Sequence, residues 1–254
     1  MDIEKIYSGI SDSAVCEIEK IDGKKKWLRN KWTPDIGTFD ISVFRGEAIE
    51  KAAIARISLE VNKVVEGPVE KHNIMRLDGL QVNIYPANPL LPIALLNLER
   101  RQLASGIRLG GYISIFPMKE NEEITGRIKE AFSLIVKNMG KSKEQALKEY
   151  NEIWRELDWQ FKGEKGIGIK ISGDDTDLDT MKIAVISMLA SFLNTVAEKK
   201  DVRFSEKDEK NMFSFRFKLS EFILVKDLST KISLEKGVKL ETLSSMILPP
   251  VVRF

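Results

Sequence analysis

Alternation of apolar and polar positions dominates the first half of the chain. Phe39, Ile41 and Val43 alternate with Asp40 and Ser42, and Ile57, Leu59 and Val61 alternate with Ser58 and Glu60. Leu80, Val82 and Ile84 alternate with Gln81, Asn83 and Tyr85; Ile107, Leu109, Gly111, Ile113 and Ile115 alternate with Arg108, Tyr112 and Ser114. A two-residue period turns every second side chain to the same side of a strand, so these segments, with residues 93–100, predict a meander of half-buried strands. The period changes in the middle of the chain. Ile124, Ile128, Phe132, Ile135 and Met139 fall on one helical face, and Leu147, Tyr150, Trp154, Leu157 and Phe161 fall on another. A short strand at residues 167–171 precedes an apolar helix from about 177 to 199, with Thr176 or Asp177 as its N-cap. Apolar residues surround most of that helix, which predicts burial between layers. Residues 221–227 read as a last strand covered on both sides, and Pro249-Pro250 stops whatever follows. Strands first and helices later predict an α+β fold with helices packed on an antiparallel sheet. No repeat or linker divides the chain, so residues 1–254 are expected to form one domain.

Composition narrows the chemistry. One cysteine excludes an intramolecular disulfide, and one histidine leaves almost nothing for a His/Cys metal site or a histidine-based triad. Forty Lys and Arg against 38 Asp and Glu leave a formal charge of +2, which argues against a histone-like polycation but leaves room for a local patch. Met1-Asp2-Ile3-Glu4 shows no basic-then-apolar leader, and the apolar stretch 181–193 is interrupted and short for a bilayer, so a cytoplasmic protein without a membrane partner is expected. Heavy use of Lys, Glu and Ile is thermophile-like. Cys16 sits in a helical apolar pattern and is expected in the core. Asp174, Asp175, Asp177 and Asp179 lack the glycine and terminal glutamate of a calcium loop, and acids are favoured at a helix N-terminus by its dipole alone. Gly166-Ile167-Gly168 lacks the third glycine of a nucleotide fingerprint. One basic run, Lys24, Lys25, Lys26, Arg29 and Lys31, is interleaved with Trp27 and Trp32. It reads first as a solvated helix end with tryptophans packed inward; the other reading is a phosphate-contacting surface with stacking support.

A family resemblance rests on several ordered stretches. Residues 221–227, then Thr230-Lys231, Leu234, Gly237, Glu241, Ser244-Ser245-Met246 and Pro249-Pro250, resemble the C-terminal signature of oxygen-dependent coproporphyrinogen III oxidase. Asp22-Gly23 followed by Trp32 resembles that family's approach to its glycine-rich loop, and Ile49-Glu50-Lys51-Ala52 its glutamate-lysine-alanine strand. Tyr85-Pro86-Ala87-Asn88-Pro89, with Pro92 and Asn97, is similar to its central substrate-site motif. The resemblance runs from about Val15 to the C-terminus. It implies a large antiparallel β-sheet sandwiched between helical layers, and a homodimer whose contact includes about residues 219–254. The implied reaction is oxidative decarboxylation of two porphyrinogen propionates in haem biosynthesis, with dioxygen and without a metal or organic cofactor.

Strand alternation tests the alignment. With Ala94, Leu96 and Leu98 facing the core, Leu95, Asn97 and Glu99 share the opposite side, where the resemblance places a histidine, an asparagine and an arginine. Recruiting Arg100 instead would turn Leu96 and Leu98 outward. The resemblance puts a serine and a histidine where Gln81 and Tyr85 stand, and a further histidine at about Phe161. It puts an essential aspartate on the strand resembling residues 110–114, which holds no carboxylate. The one histidine, His72, is expected in a polar loop. The family's glycine-glycine-arginine corresponds to Gly237-Val238-Lys239, which keeps a positive charge and loses the bidentate fork. Glu99 reads as a solvated surface charge rather than a general base.

Of the three compared positions on that strand the asparagine survives as Asn97, and no catalytic residue is carried over. Charge-assisted hydrogen bonds contribute about 1.5–3 kcal/mol each and acid/base groups about 10²- to 10⁴-fold in rate, so the standard reaction is expected to be lost or altered. The expected binding set is Asn97, Lys239, Gly237, Val238, Gln81, Tyr85 and Arg108, with a tetrapyrrole or another carboxylated ligand. If activity persists, it is that of an oxygen-dependent oxidoreductase on a rebuilt cleft. The alternative is a non-catalytic dimeric scaffold binding RNA, a ribosome or a protein partner through Lys24, Lys25, Lys26, Arg29 and Lys31.

Overall fold

The computed structural model of the chain describes residues 3–34, 36–66, 71–119, 121–160, 165–235 and 237–253, the side chains of residues 61–66, 71–73, 228 and 232 excepted. Its centre is an antiparallel sheet of seven strands: β1 (Leu28–Trp32), β2 (Gly37–Phe44), β3 (Ile49–Glu66), β4 (Lys71–Pro86), β5 (Ile93–Leu103), β6 (Gly106–Phe116) and β7 (Ile167–Gly173). Strand order in space equals order in sequence, so every pairing joins chain neighbours. That is the meander predicted from the alternation.

Helices cover both sides. On the first side, α1 (Ile3–Asp22), α2 (Glu122–Asn138) and α4 (Leu178–Lys199) pack against Leu80, Val82, Ile84, Ala94, Leu96, Leu98, Ile113 and Ile115. Before α4, one 3₁₀ turn at Asp175–Asp177 is closed by a capping box in which the Asp174 side chain accepts from Thr176 N. Asp177 is the N-cap of α4, as expected from sequence. One face of α4 stays open, with Ile183 exposed. On the second side lie α5 (Glu206–Glu221), α6 (Leu228–Glu235) and α7 (Leu240–Met246). Met212, Phe215, Leu219 and Phe222 form one apolar cluster with Leu95, Phe116 and Trp154; Val238, Leu243 and Met246 form another with Phe39, Ile41, Val43, Ala53 and Ala55. The helix α3 (Lys143–Ile153) contributes Ala146 to the first side and Tyr150 to the second, beside edge strand β7. A sheet between two helical layers is therefore the observed architecture.

Several local expectations are corrected. Residues 221–227 are not a strand: α5 runs on into a π-helical turn at Phe222–Lys226, because Met212, Phe215, Leu219, Phe222 and Ile223 continue one buried helical stripe. The short apolar run imitated a covered strand, an ambiguity periodicity cannot resolve. The basic run does not end a helix; Leu28–Trp32 is the edge strand β1, and Trp32 stacks near Phe39 at 5.3 Å. Helix α3 stops at Ile153; Trp154 and Leu157 are buried in the turn beyond it, and Phe161 lies outside the described residues. The backbone of His72 belongs to β4, opposite Val65, rather than to a loop. Cys16 is exposed on α1, since Ala14 and Ile18 take the inward positions.

The stretches shared with the resembled family hold junctions. Asp22, ending α1, accepts the backbone N–H groups of Glu47 at 3.0 Å, Ala48 at 2.9 Å and Ile49 at 2.6 Å. Asn88, in the turn between β4 and β5, donates to the carbonyls of Lys200 at 3.0 Å and Val202 at 2.7 Å. Beside these junctions is a polar cavity of about 310 Å³ lined by Asp22, Lys25, Glu47, Asn88 and Lys200.

Candidate functional site

A row of polar side chains crosses the middle of the second side. Gln81 on β4 stands opposite Asn97 on β5, and Asn97 opposite Tyr112 on β6. Strand pleating places all three on the side that carries Leu95, as the alternation predicted. One pleat further, Glu99 stands between Gly79 and Gly110, so neither neighbouring strand puts a side chain beside it. The adjoining Gly111 has φ +130°, and a Cβ there would lie 2.0 Å from the Asn97 carbonyl oxygen. Only glycine fits that approach.

Glu99 is buried, not a solvated surface charge. Its Oε1 accepts from Asn97 Nδ2 at 2.8 Å, and its Oε2 accepts from Arg101 Nε at 2.8 Å and from Arg101 Nη2. Arg100 points to the opposite side of the sheet and forms a fork with Asp175, both contacts at 3.1 Å, so it is not a substitute for the missing arginine. The π-helical turn brings Asp227 over this row. Asp227 caps α6 by accepting from Thr230 N at 2.7 Å. Burial raises the Asp227 carboxyl above the usual range, and the charge of Glu99 adds to the shift against the Thr230 donors. Burial likewise holds the Tyr112 hydroxyl well above its ordinary value, reinforced by the charges of Asp227 and Glu99. Tyr112 therefore stays protonated at neutral pH. Its ring meets Trp154 edge-on at 5.1 Å, and Trp154 donates to Ser114 Oγ at 2.9 Å. Gln81 Oε1 is buried with no donor among the described residues.

The expected binding residues divide into four groups. Gln81 and Asn97 meet in the row. Tyr85 lies four residues along β4 from Gln81, fully buried, with its hydroxyl donating to the Ile247 carbonyl. Gly237, Val238 and Lys239 make the turn between α6 and α7 above β2 and β3: Gly237 adopts φ +83°, Val238 is buried and Lys239 is exposed. Arg108 is exposed beside Arg101 near the β5–β6 hairpin, and donates to the Ile107 carbonyl. Among the described residues, no hydrogen bond or ion pair joins Lys239 or Arg108 to Asn97. Sequence reasoning missed Arg101 and Asp227. The i, i+2 spacing of Glu99 and Arg101 on one strand signals the first, whereas a strand reading of 221–227 hid the second. No group of three His, Cys, Asp or Glu residues able to hold a metal occurs among the described residues. The arrangement offers acceptors at Gln81, Glu99 and Asp227, a neutral hydroxyl at Tyr112 and one paired cation at Arg101.

No curated protein sequence matches the chain. Among solved structures, selenomethionyl phytochromobilin synthase from tomato in complex with biliverdin is similar at 12% identity and a TM-score of 0.49, over 96% of this chain and 78% of that one. Residues 2–254, nearly the full length over which the β-meander, the two helical layers and the polar row are built, match the family described as Coproporphyrinogen III oxidase. The chain belongs to the coproporphyrinogen III oxidase family.

Proposed function

We propose that this chain is a divergent family member whose standard oxidative decarboxylation is lost or altered, and which binds a tetrapyrrole or related ligand on the polar row. The observation that carries the reading is the state of the replaced positions. Leu95, at the resembled histidine position, is fully buried in an apolar cluster with Phe222 and Ile247, and Glu99, at the arginine position, has reversed the charge. A polycarboxylate placed over the row meets Glu99 and Asp227, while Arg101 is already paired. Ring N–H groups suit the same acceptors, above all Gln81 Oε1, with Lys239 and Arg108 at the margins for carboxylates.

An aerobic assay with coproporphyrinogen III, resolving vinyl products by chromatography, tests the loss. Turnover at least about 10²-fold below an ordinary family member is expected, the scale of one missing acid/base group; comparable turnover overturns it. Titration with coproporphyrin III tests the binding, and Asn97→Ala should weaken it by about tenfold, the effect of a hydrogen bond of about 1.4 kcal/mol.

A second reading, a scaffold that binds RNA, a ribosome or a protein partner, is favoured by the position of the basic run. Lys24, Lys25, Lys26, Arg29 and Lys31 lie on or next to the exposed edge strand β1. Both readings include a homodimer through residues 219–254, where Val225, Leu240 and Val251 are exposed. A cytoplasmic setting is part of the same proposal. Among the described residues, one helical segment, Asp175–Lys199, comprising the 3₁₀ turn and α4, is long and apolar enough to cross a membrane, with 50% of its apolar window buried inside the fold.

A further inference from the structure

The end of the second helical layer is held from below by three side chains. Lys51 Nζ donates to the carbonyls of Ser244 at 2.7 Å and Leu248 at 2.6 Å, Asn83 Nδ2 donates to Met246 O at 3.0 Å, and the Tyr85 hydroxyl donates to Ile247 O. Lys51 and Tyr85 are partners across β3 and β4, and Asn83 is the next residue of β4 on the same side. All three are buried to within 1%. The last carbonyls of a helix lack partners within it, and here the sheet supplies donors around the end of α7. Beyond it, the Arg253 guanidinium lies 4.5 Å from the Phe213 ring.

These residues share a pleat with the ligand row. Along β4, Tyr85 and Asn83 lead directly to Gln81, so the segment they hold covers the continuation of the polar surface. We propose that residues 240–253 form a strap that lifts from the sheet as a unit, lengthening the cleft from Gln81 and Asn97 to Asn83 and Tyr85, with Lys51 setting how often it lifts. The proposal does not depend on the identity of the ligand.

The donor count of Lys51 explains its control. A neutral amine has two N–H groups for its two carbonyls, while an ammonium brings a third, for which the Tyr85 ring, with its centroid 5.8 Å away, is the available face. The charged groups around it are few. Arg45 approaches from the segment before β3, Tyr85 faces it from β4, and α7 presents carbonyls. Arg216 on α5 acts on Tyr85 and is itself paired with Glu50 at 2.7 Å. Burial, then the charge of Arg45, lowers Lys51 from 10.5 to about 7. Once the strap lifts, water restores the ordinary value. Between the two values the open form binds a proton that the closed form does not, so raising the pH favours closure by up to about tenfold per unit. Below about 7 both forms are protonated and the dependence flattens.

Amide hydrogen exchange of the full chain, read by mass spectrometry and corrected for intrinsic rates, tests this at about pH 7, 8 and 9. Protection of residues 240–253 should rise by up to about tenfold per unit while that of α1 and α4 stays level. Lys51→Met should abolish the slope. Asn83→Ala should lower protection by a constant factor and keep the slope. A pH-independent protection in the unmodified chain overturns the proposal, whether or not either variant folds, as does exchange of residues 240–253 only together with α4.

Discussion

Gly111 shows how a single position fixes the site. The Asn97 carbonyl would lie 2.0 Å from a side-chain carbon at Gly111, and its φ of +130° is one that other residues rarely adopt. Gly111→Ala is expected to destabilise the fold by about 3 kcal/mol, combining backbone strain with displacement of β5, measurable by denaturant unfolding. An unchanged midpoint would show that β6 relaxes there freely. At this scale the sequence was partly readable. Parity along β4 and β5 placed Gln81, Asn97 and Glu99 together, because a pleat admits two sides and Leu96 and Leu98 had to take the inner one. Parity could not reveal burial. Glu99 looks like a surface charge until the covering helix is in place, since burial is set by residues more than a hundred positions away.

Among the elements, the strands were the most legible. β2 to β7 each have an apolar stripe of period two and every strand pairs with its neighbour in the chain, so local pattern and global topology coincide, whereas β1, exposed along Leu28 to Lys31, carries no such stripe and was missed. A further exception is the π-helical turn at Phe222–Lys226, a feature that often accompanies function because it re-aims the residues that follow. Asp227 is such a residue. Its carboxyl has a folded value raised above the unfolded one, so its charged form is disfavoured in the fold. Its contribution is therefore intact at low pH and declines as the pH rises through and above the ordinary carboxylate range. Asp227→Asn removes that penalty while leaving an oxygen for Thr230 N. The variant should accordingly gain stability relative to the unmodified chain at about pH 7, and gain less at about pH 4, as read by urea unfolding at both. Equal differences at the two values would mean that the carboxyl is not disfavoured by burial.

For the molecule as a whole, the matched motifs separate into scaffold and site. Asp22, Lys51 and Asn88 each bind backbone at a junction, whereas the positions the resemblance assigns to chemistry hold Tyr85, Leu95 and Glu99. Shared motifs thus made the fold legible even where the reaction was not. The global charge of +2 supplies no general attraction for polyanions, so phosphate binding requires a local patch. If β1 and the segment before it are that patch, RNA retention should fall steeply with salt and disappear when Lys24, Lys25 and Lys26 become Glu, as measured by filter binding. Retention indifferent to both salt and charge reversal would remove the patch from consideration.

The one-after-another strand order also bears on how the chain acquires its structure. Each hairpin can close as soon as its second strand leaves the ribosome, and the first apolar layer can be completed once α4 has emerged. The second side is different: Val43, Ala53, Leu95 and Phe116 wait for residues 212–247, and the donors on Lys51, Asn83 and Tyr85 wait for carbonyls 162 to 197 positions downstream. Throughout synthesis of the last helices the nascent sheet carries an uncovered apolar surface, which makes that interval the stage of synthesis most exposed to aggregation.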